Sequence, residues 1–121
     1  MANLETFEDL KGCTLSACEK ANEDKLVFTL DNGDKYQLYH EQDCCESVTI
    51  EDIVGSLEDL VGTPILMAEE ATINDDPKDE YDSVTWTFYK LATVKGYVTI
   101  RWYGTSNGYY SESVSWAKVT D

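Results

Sequence analysis

Apolar and polar positions alternate along most of this chain, and the rhythm shifts clearly at one place. Leu26, Phe28 and Leu30 fall on one side of an extended run, and Tyr36, Leu38 and His40 on one side of the next. Between them stands Asp31-Asn32-Gly33-Asp34. Asn-Gly is a strong hairpin signal, because both central residues of a type I′ turn need positive φ. That register points His40 the same way as Tyr36 and Leu38, toward a buried face. Upstream, Leu4, Phe7 and Leu10 have the spacing of a short helical turn ending at Gly12. Cys13 to Cys18 alternates weakly, with Leu15 and Ala17 on one side, and reads as a first strand.

After Cys45 the period lengthens. Ile50, Ile53, Val54, Leu57, Leu60 and Val61 recur at helical spacing, with Glu51, Asp52, Glu58 and Asp59 opposite them. Thr49 with Asp52, and Ser56 with Asp59, resemble capping pairs on either side of Gly55. The pattern predicts one short, broken helix, stopped by Gly62 and Pro64. A strand from Ile65 toward Ile73 follows, then a polar, acidic loop over 74–82. Three further strands are predicted, at 84–93, 97–103 and 109–119, with Val98, Ile100 and Trp102 sharing one face of the second. Large aromatics at period two usually pack a sheet, so all three tryptophans are expected in the core. The fold expected is therefore α+β: a single domain over 1–121, a mostly antiparallel sheet of about six or seven strands, and one short broken helix packed on it.

Charge adds a constraint that the pattern alone does not give. Nine Lys and Arg stand against 24 Asp and Glu, a formal −15. From Tyr36 to Pro77 there are eleven carboxylates and no Lys or Arg. Direct binding to nucleic acid is thereby disfavoured, because that affinity comes mainly from neutralising phosphates. Such charge keeps a protein soluble; it also suits docking on a basic partner. No apolar run is long enough to span a bilayer and no secretory signal opens the chain, so a cytoplasmic protein with reduced cysteines is expected.

Three constellations carry chemistry. The densest is His40-Glu41-Gln42-Asp43-Cys44-Cys45-Glu46, with the sole histidine and two adjacent thiols. It contains zinc-type ligands, but adjacent cysteines rarely reach one ion together, and no metal or other cofactor is expected. A Cys–His nucleophile is the other possibility, and the surrounding carboxylates oppose thiolate formation. His40, Asp43, Cys44, Cys45 and Glu46 are candidates instead for a ligand pocket. Arg101, the sole arginine, lies between Ile100 and Trp102 on a strand that also carries Tyr97 and Tyr103. With Tyr103 and Tyr109 it forms a candidate platform, a guanidinium for an anion and rings for a flat group. Its plainer reading is an arginine stacked on tyrosine and paired with an acid. Glu51, Asp52, Asp75, Asp76, Asp79 and Glu80 are the candidate contacts to a basic partner.

The run Tyr39-His40-Glu41-Gln42-Asp43-Cys44-Cys45-Glu46, continued by Ile50-Glu51-Asp52-Ile53, resembles a family of small, acidic, largely uncharacterised proteins encoded by phages and their hosts. The likeness extends through 57–66 to Gly108-Tyr109-Tyr110-Ser111-Glu112. By analogy with other small phage proteins, it implies a counter-defence factor without catalytic activity. The expectation is a binding protein that neutralises a host factor through an acidic surface resembling nucleic acid. A sponge for a small anionic, nucleotide-type signal is the alternative, and a Cys/His enzyme or metal-binding protein the second. It would act as a monomer or small homo-oligomer in the host cytoplasm, away from membranes.

Overall fold

The computed structural model describes residues 4–41, 46–75, 83–106 and 113–119, with Asp75 and Ser83 described by backbone alone. Among these residues eight strands make up two four-stranded sheets. The first joins β1 (Leu15–Asn22), β2 (Lys25–Leu30), β3 (Lys35–Tyr39) and β8 (Ser115–Lys118) in that order. In the second, β4 (Ser47–Val54), β7 (Gly96–Ser106), β6 (Ser83–Thr93) and β5 (Met67–Asp75) lie side by side. All six strand pairings are antiparallel. Leu26, Phe28, Tyr36 and Leu38 from one sheet and Tyr89, Leu91, Ile100 and Trp102 from the other fill a common core. Burying each such side chain contributes about 1.5–3 kcal/mol, so the alternation legible in the sequence is the main force holding the sheets face to face.

Two short 3₁₀ turns plug the sandwich. η1 (Phe7–Leu10) inserts Phe7 between the sheets, 4.7 Å from the Tyr89 ring and 6.1 Å from that of Phe28. η2 (Leu57–Leu60) buries Leu60. The first of these is the helical turn expected before Gly12, which takes φ +91°.

The expected α+β class is wrong: no α-helix occurs among the described residues, and the stretch predicted as a broken helix is strand β4 followed by η2. A bulge explains the misleading period. Ile50 pairs with Trp102, Asp52 with Arg101 and Ile53 with Ile100, so Glu51 is the extra residue. Inward positions therefore fall at Val48, Ile50 and Ile53, and the spacing of two becomes three. The β-branched run Val48-Thr49-Ile50 and Ile53-Val54 favours strand over helix locally. Gly55, at φ +101°, then turns the chain into η2.

Other details differ more gently. The hairpin between β2 and β3 forms as expected, closed by Leu30 N–H to Asp34 O at 2.8 Å. Only Gly33 has positive φ, however, so the turn is a three-residue loop with a left-handed glycine rather than type I′. The last strand pairs with β3, Leu38 opposite Trp116, and not with β7. Of the tryptophans, Trp102 is fully buried and Trp116 packs on the core. Trp86 does neither. Its strand buries Thr87, Tyr89 and Leu91, which turns Trp86 and Phe88 to the outer face.

Candidate functional site

His40 lies where the hairpin register places it, on the inward face of the chain beyond β3, 8% exposed. Its Nδ1 is 2.9 Å from the carbonyl oxygen of Ser113. A carbonyl only accepts, so Nδ1 carries the hydrogen and donates it. Nε2 faces Glu46 Oε1 at 3.4 Å, and the two side chains are 6% and 1% exposed. His40 thus ties the end of β3 to the start of β4 and to the segment leading into β8. Nδ1 is taken up by Ser113, while Nε2 lies beside Glu46 without making a hydrogen bond among the described residues. Asp43, Cys44 and Cys45, the rest of this candidate pocket, lie outside the described residues.

Cys13 and Cys18 are free thiols. Burial pushes the Cys18 thiol up to about 12, with the Glu19 carboxylate adding to it. Cys13 is raised as well, by burial first and then by Asp31 and Asp9. Both are therefore held as thiols at neutral pH, the opposite of what a nucleophile needs.

The outer face of the second sheet gathers a different set. β7 turns Val98, Ile100 and Trp102 inward, so Arg101 and Tyr103 project from the other side. Arg101 donates from Nη2 to Asp52 Oδ2 at 2.9 Å, both side chains being roughly half exposed, at 40% and 46%. Its guanidinium carbon stands 5.8 Å from the centre of the Trp86 ring. Trp86 meets Tyr103 at 4.6 Å with the rings inclined by 56°, and stacks near Phe88 at 6.3 Å. Ile73, 54% exposed, is the register partner of Trp86 on β5. Beside these rings opens a cavity of about 220 Å³ lined by Glu51, Trp86 and Tyr103. A wider cleft of about 580 Å³, at the β1–β2 turn, is lined among the described residues by Asn22, Glu23, Asp24 and Thr49, none of them aromatic.

The structure brings Arg101, Tyr103, Glu51 and Asp52 together on one face, although the sequence assigned the first two to an anion and the others to a partner. His40 and Glu46 form a separate, buried pair. Tyr109, Asp76, Asp79 and Glu80 lie outside the described residues, and Asp75 ends β5. Trp86 and Phe88 were missed as surface residues. The signal was present in Tyr89 and Leu91, whose burial at odd positions forces the even ones outward. Among the described residues no group of His, Cys, Asp and Glu could hold a metal, and no helix is long and apolar enough to cross a membrane.

These features define an antiparallel β-sandwich with a half-exposed aromatic and arginine cluster on one sheet. The chain belongs to the family built on a domain of unknown function, DUF7448, whose model matches residues 6–116. No curated protein and no solved structure matches it.

Proposed function

We propose that this is a non-catalytic, phage-encoded binding protein, which neutralises a host factor by covering a basic surface with the outer face of its second sheet. The observation that carries this reading is the cluster of Trp86, Tyr103 and Arg101 on that face, with Ile73 and Val54 exposed beside it. Trp, Tyr and Arg are the residues that dominate binding energy at protein interfaces, where a polar rim surrounds an apolar centre. The formal charge of −15 supports a basic partner, of the kind that otherwise holds nucleic acid in the host cytoplasm. Thiols held protonated and a histidine directed at Ser113 and Glu46 support a role without catalysis.

A sponge for a nucleotide-type anion fits the face less well. Arg101 is already paired with Asp52, and the adjoining cavity of about 220 Å³ has a carboxylate in its wall. Sites for drug-sized ligands usually run from about 300 Å³ upward.

The test is affinity capture from host lysate with the wild type and with Ile73→Lys, a change at an exposed position on the edge strand of this face, opposite Trp86. The partner should be retained by the first and lost by the second. Its affinity should also fall steeply with salt, because exposed charges are screened over about 8 Å at physiological ionic strength. Equal retention by both proteins, or affinity indifferent to salt, would sink the proposal.

A further inference from the structure

The β4 bulge does more than disguise a strand. A regular strand would send Glu51 and Asp52 to opposite faces. With Glu51 as the extra residue, Ile50 and Ile53 both stay inward and the two carboxylates reach the outer face in succession. Asp52 is taken up by Arg101 at 2.9 Å. Glu51, exposed and at the wall of the cavity, joins Trp86 and Tyr103 there.

From this geometry we infer that the cavity between Glu51, Trp86 and Tyr103 takes the cationic end of one lysine or arginine side chain of the partner. The inference rests on the docking role proposed for this face. Two aromatic rings inclined at 56° offer negatively polarised faces, and the carboxylate supplies the countercharge, which together make a cage for a cation. The Trp86 ring already meets one guanidinium, since Arg101 stands 5.8 Å from its centre. That positive charge does not repel a second cation strongly, because Asp52 neutralises it at 2.9 Å. Size points the same way. A cavity of about 220 Å³ falls short of the roughly 300 Å³ at which sites for drug-sized ligands begin, and suits a single side chain.

The experiment is a titration of the full chain with N-acetyl-arginine amide, N-acetyl-lysine amide and, as the neutral isostere of the first, N-acetyl-citrulline amide. The readout is the assigned indole N–H resonance of Trp86. Saturable shifts are expected with both cations and none with citrulline. Glu51→Gln should weaken the cations about three- to tenfold, and Tyr103→Leu about as much, while the other indole signals stay in place. Equal binding of the citrulline compound, or shifts spread over the surface without saturation at Trp86, would overturn the inference. Partner capture separates this idea from the docking role. If Ile73→Lys abolishes capture and Glu51→Gln leaves it untouched, the face docks but the cage is wrong. If the cations saturate the cavity while Ile73→Lys leaves capture intact, the cage stands and the docking role falls.

Discussion

Two acid–base pairs sit at the start and middle of β4, and they differ in almost every physical respect. His40 and Glu46 are buried to 6% and 1% exposure and stand 3.4 Å apart, whereas Arg101 and Asp52 are half exposed and meet at 2.9 Å. The buried pair comes from the most conspicuous motif in the sequence, yet the structure uses it to fasten three segments together. The exposed pair joins residues that the sequence assigned to two different roles, and it borders the aromatic cavity. A rare residue in a dense motif is thus no guide to function unless its atoms are free to meet a ligand. The division predicts that stability lives with the first pair and recognition with the second.

The sharpest way to break that division is His40→Ala. The change removes the buried hydrogen bond from Nδ1 to Ser113 O, a loss that typically costs about 1–3 kcal/mol, and urea denaturation should register a loss of that order. Partner binding per folded molecule should not change. An unaltered denaturation midpoint with lost binding would invert the assignment of the two pairs.

A smaller effect follows from other buried groups on the stable side of the division. Burial and Glu19 raise Cys18 from 9.0 to about 12. Burial, with Glu70 close by, raises Tyr89 too, its hydroxyl donating to Glu70 Oε1 at 3.2 Å. Both groups hold their protons more tightly folded than unfolded. Their contribution is therefore complete below pH 9 and is lost as the pH climbs toward the folded values. For the thiol alone the loss by pH 10 is about 1–2 kcal/mol, and Cys18→Ala should flatten that part of the profile. A stability curve level from pH 8 to 11 in the wild type would contradict the burial of both groups.

The fold was legible where neighbours in sequence are neighbours in space. The hairpin around Gly33 and the inward faces of Leu26, Phe28, Leu38 and Ile100 follow from alternation alone. It failed where one residue interrupts that alternation, since the bulge at Glu51 gives Ile50 and Ile53 a helix-like spacing. The pairing of β8 with β3 was illegible for another reason: nothing local in Ser115–Lys118 names a partner so distant in the chain. Of the candidate site, Arg101 and Tyr103 were visible as a pair on one strand. Trp86 was not, because an aromatic residue at period two reads as core until the facing of its strand is known.

The smallest predicted change sits at the exposed pair. Asp52→Asn should alter stability by less than about 1 kcal/mol, as surface ion pairs generally do. It should nonetheless weaken capture of a basic partner, because Arg101 would then present uncompensated positive charge beside the cavity. Calorimetric unfolding and a binding titration on the same variant check the two halves. A large drop in melting temperature with unchanged affinity would make this pair structural after all.

The stacking of Trp116 on Tyr36, centres 5.2 Å apart and planes within 8°, also bears on how the chain reaches this state. Trp116 donates its indole N–H to Leu4 O at 3.2 Å, and Leu4 N–H donates to the Tyr36 hydroxyl at 3.0 Å. One ring therefore clasps the Leu4 segment, β3 and β8, regions set far apart along the chain. Contacts of such long sequence separation must wait on slow loop closure, and sheets built from them fold in about milliseconds to seconds. Until Trp116 arrives, the outer edge of β3 stands unpaired and open to the strand of another molecule. Its fluorescence should report the closure of β8 onto β3, the step that covers this edge.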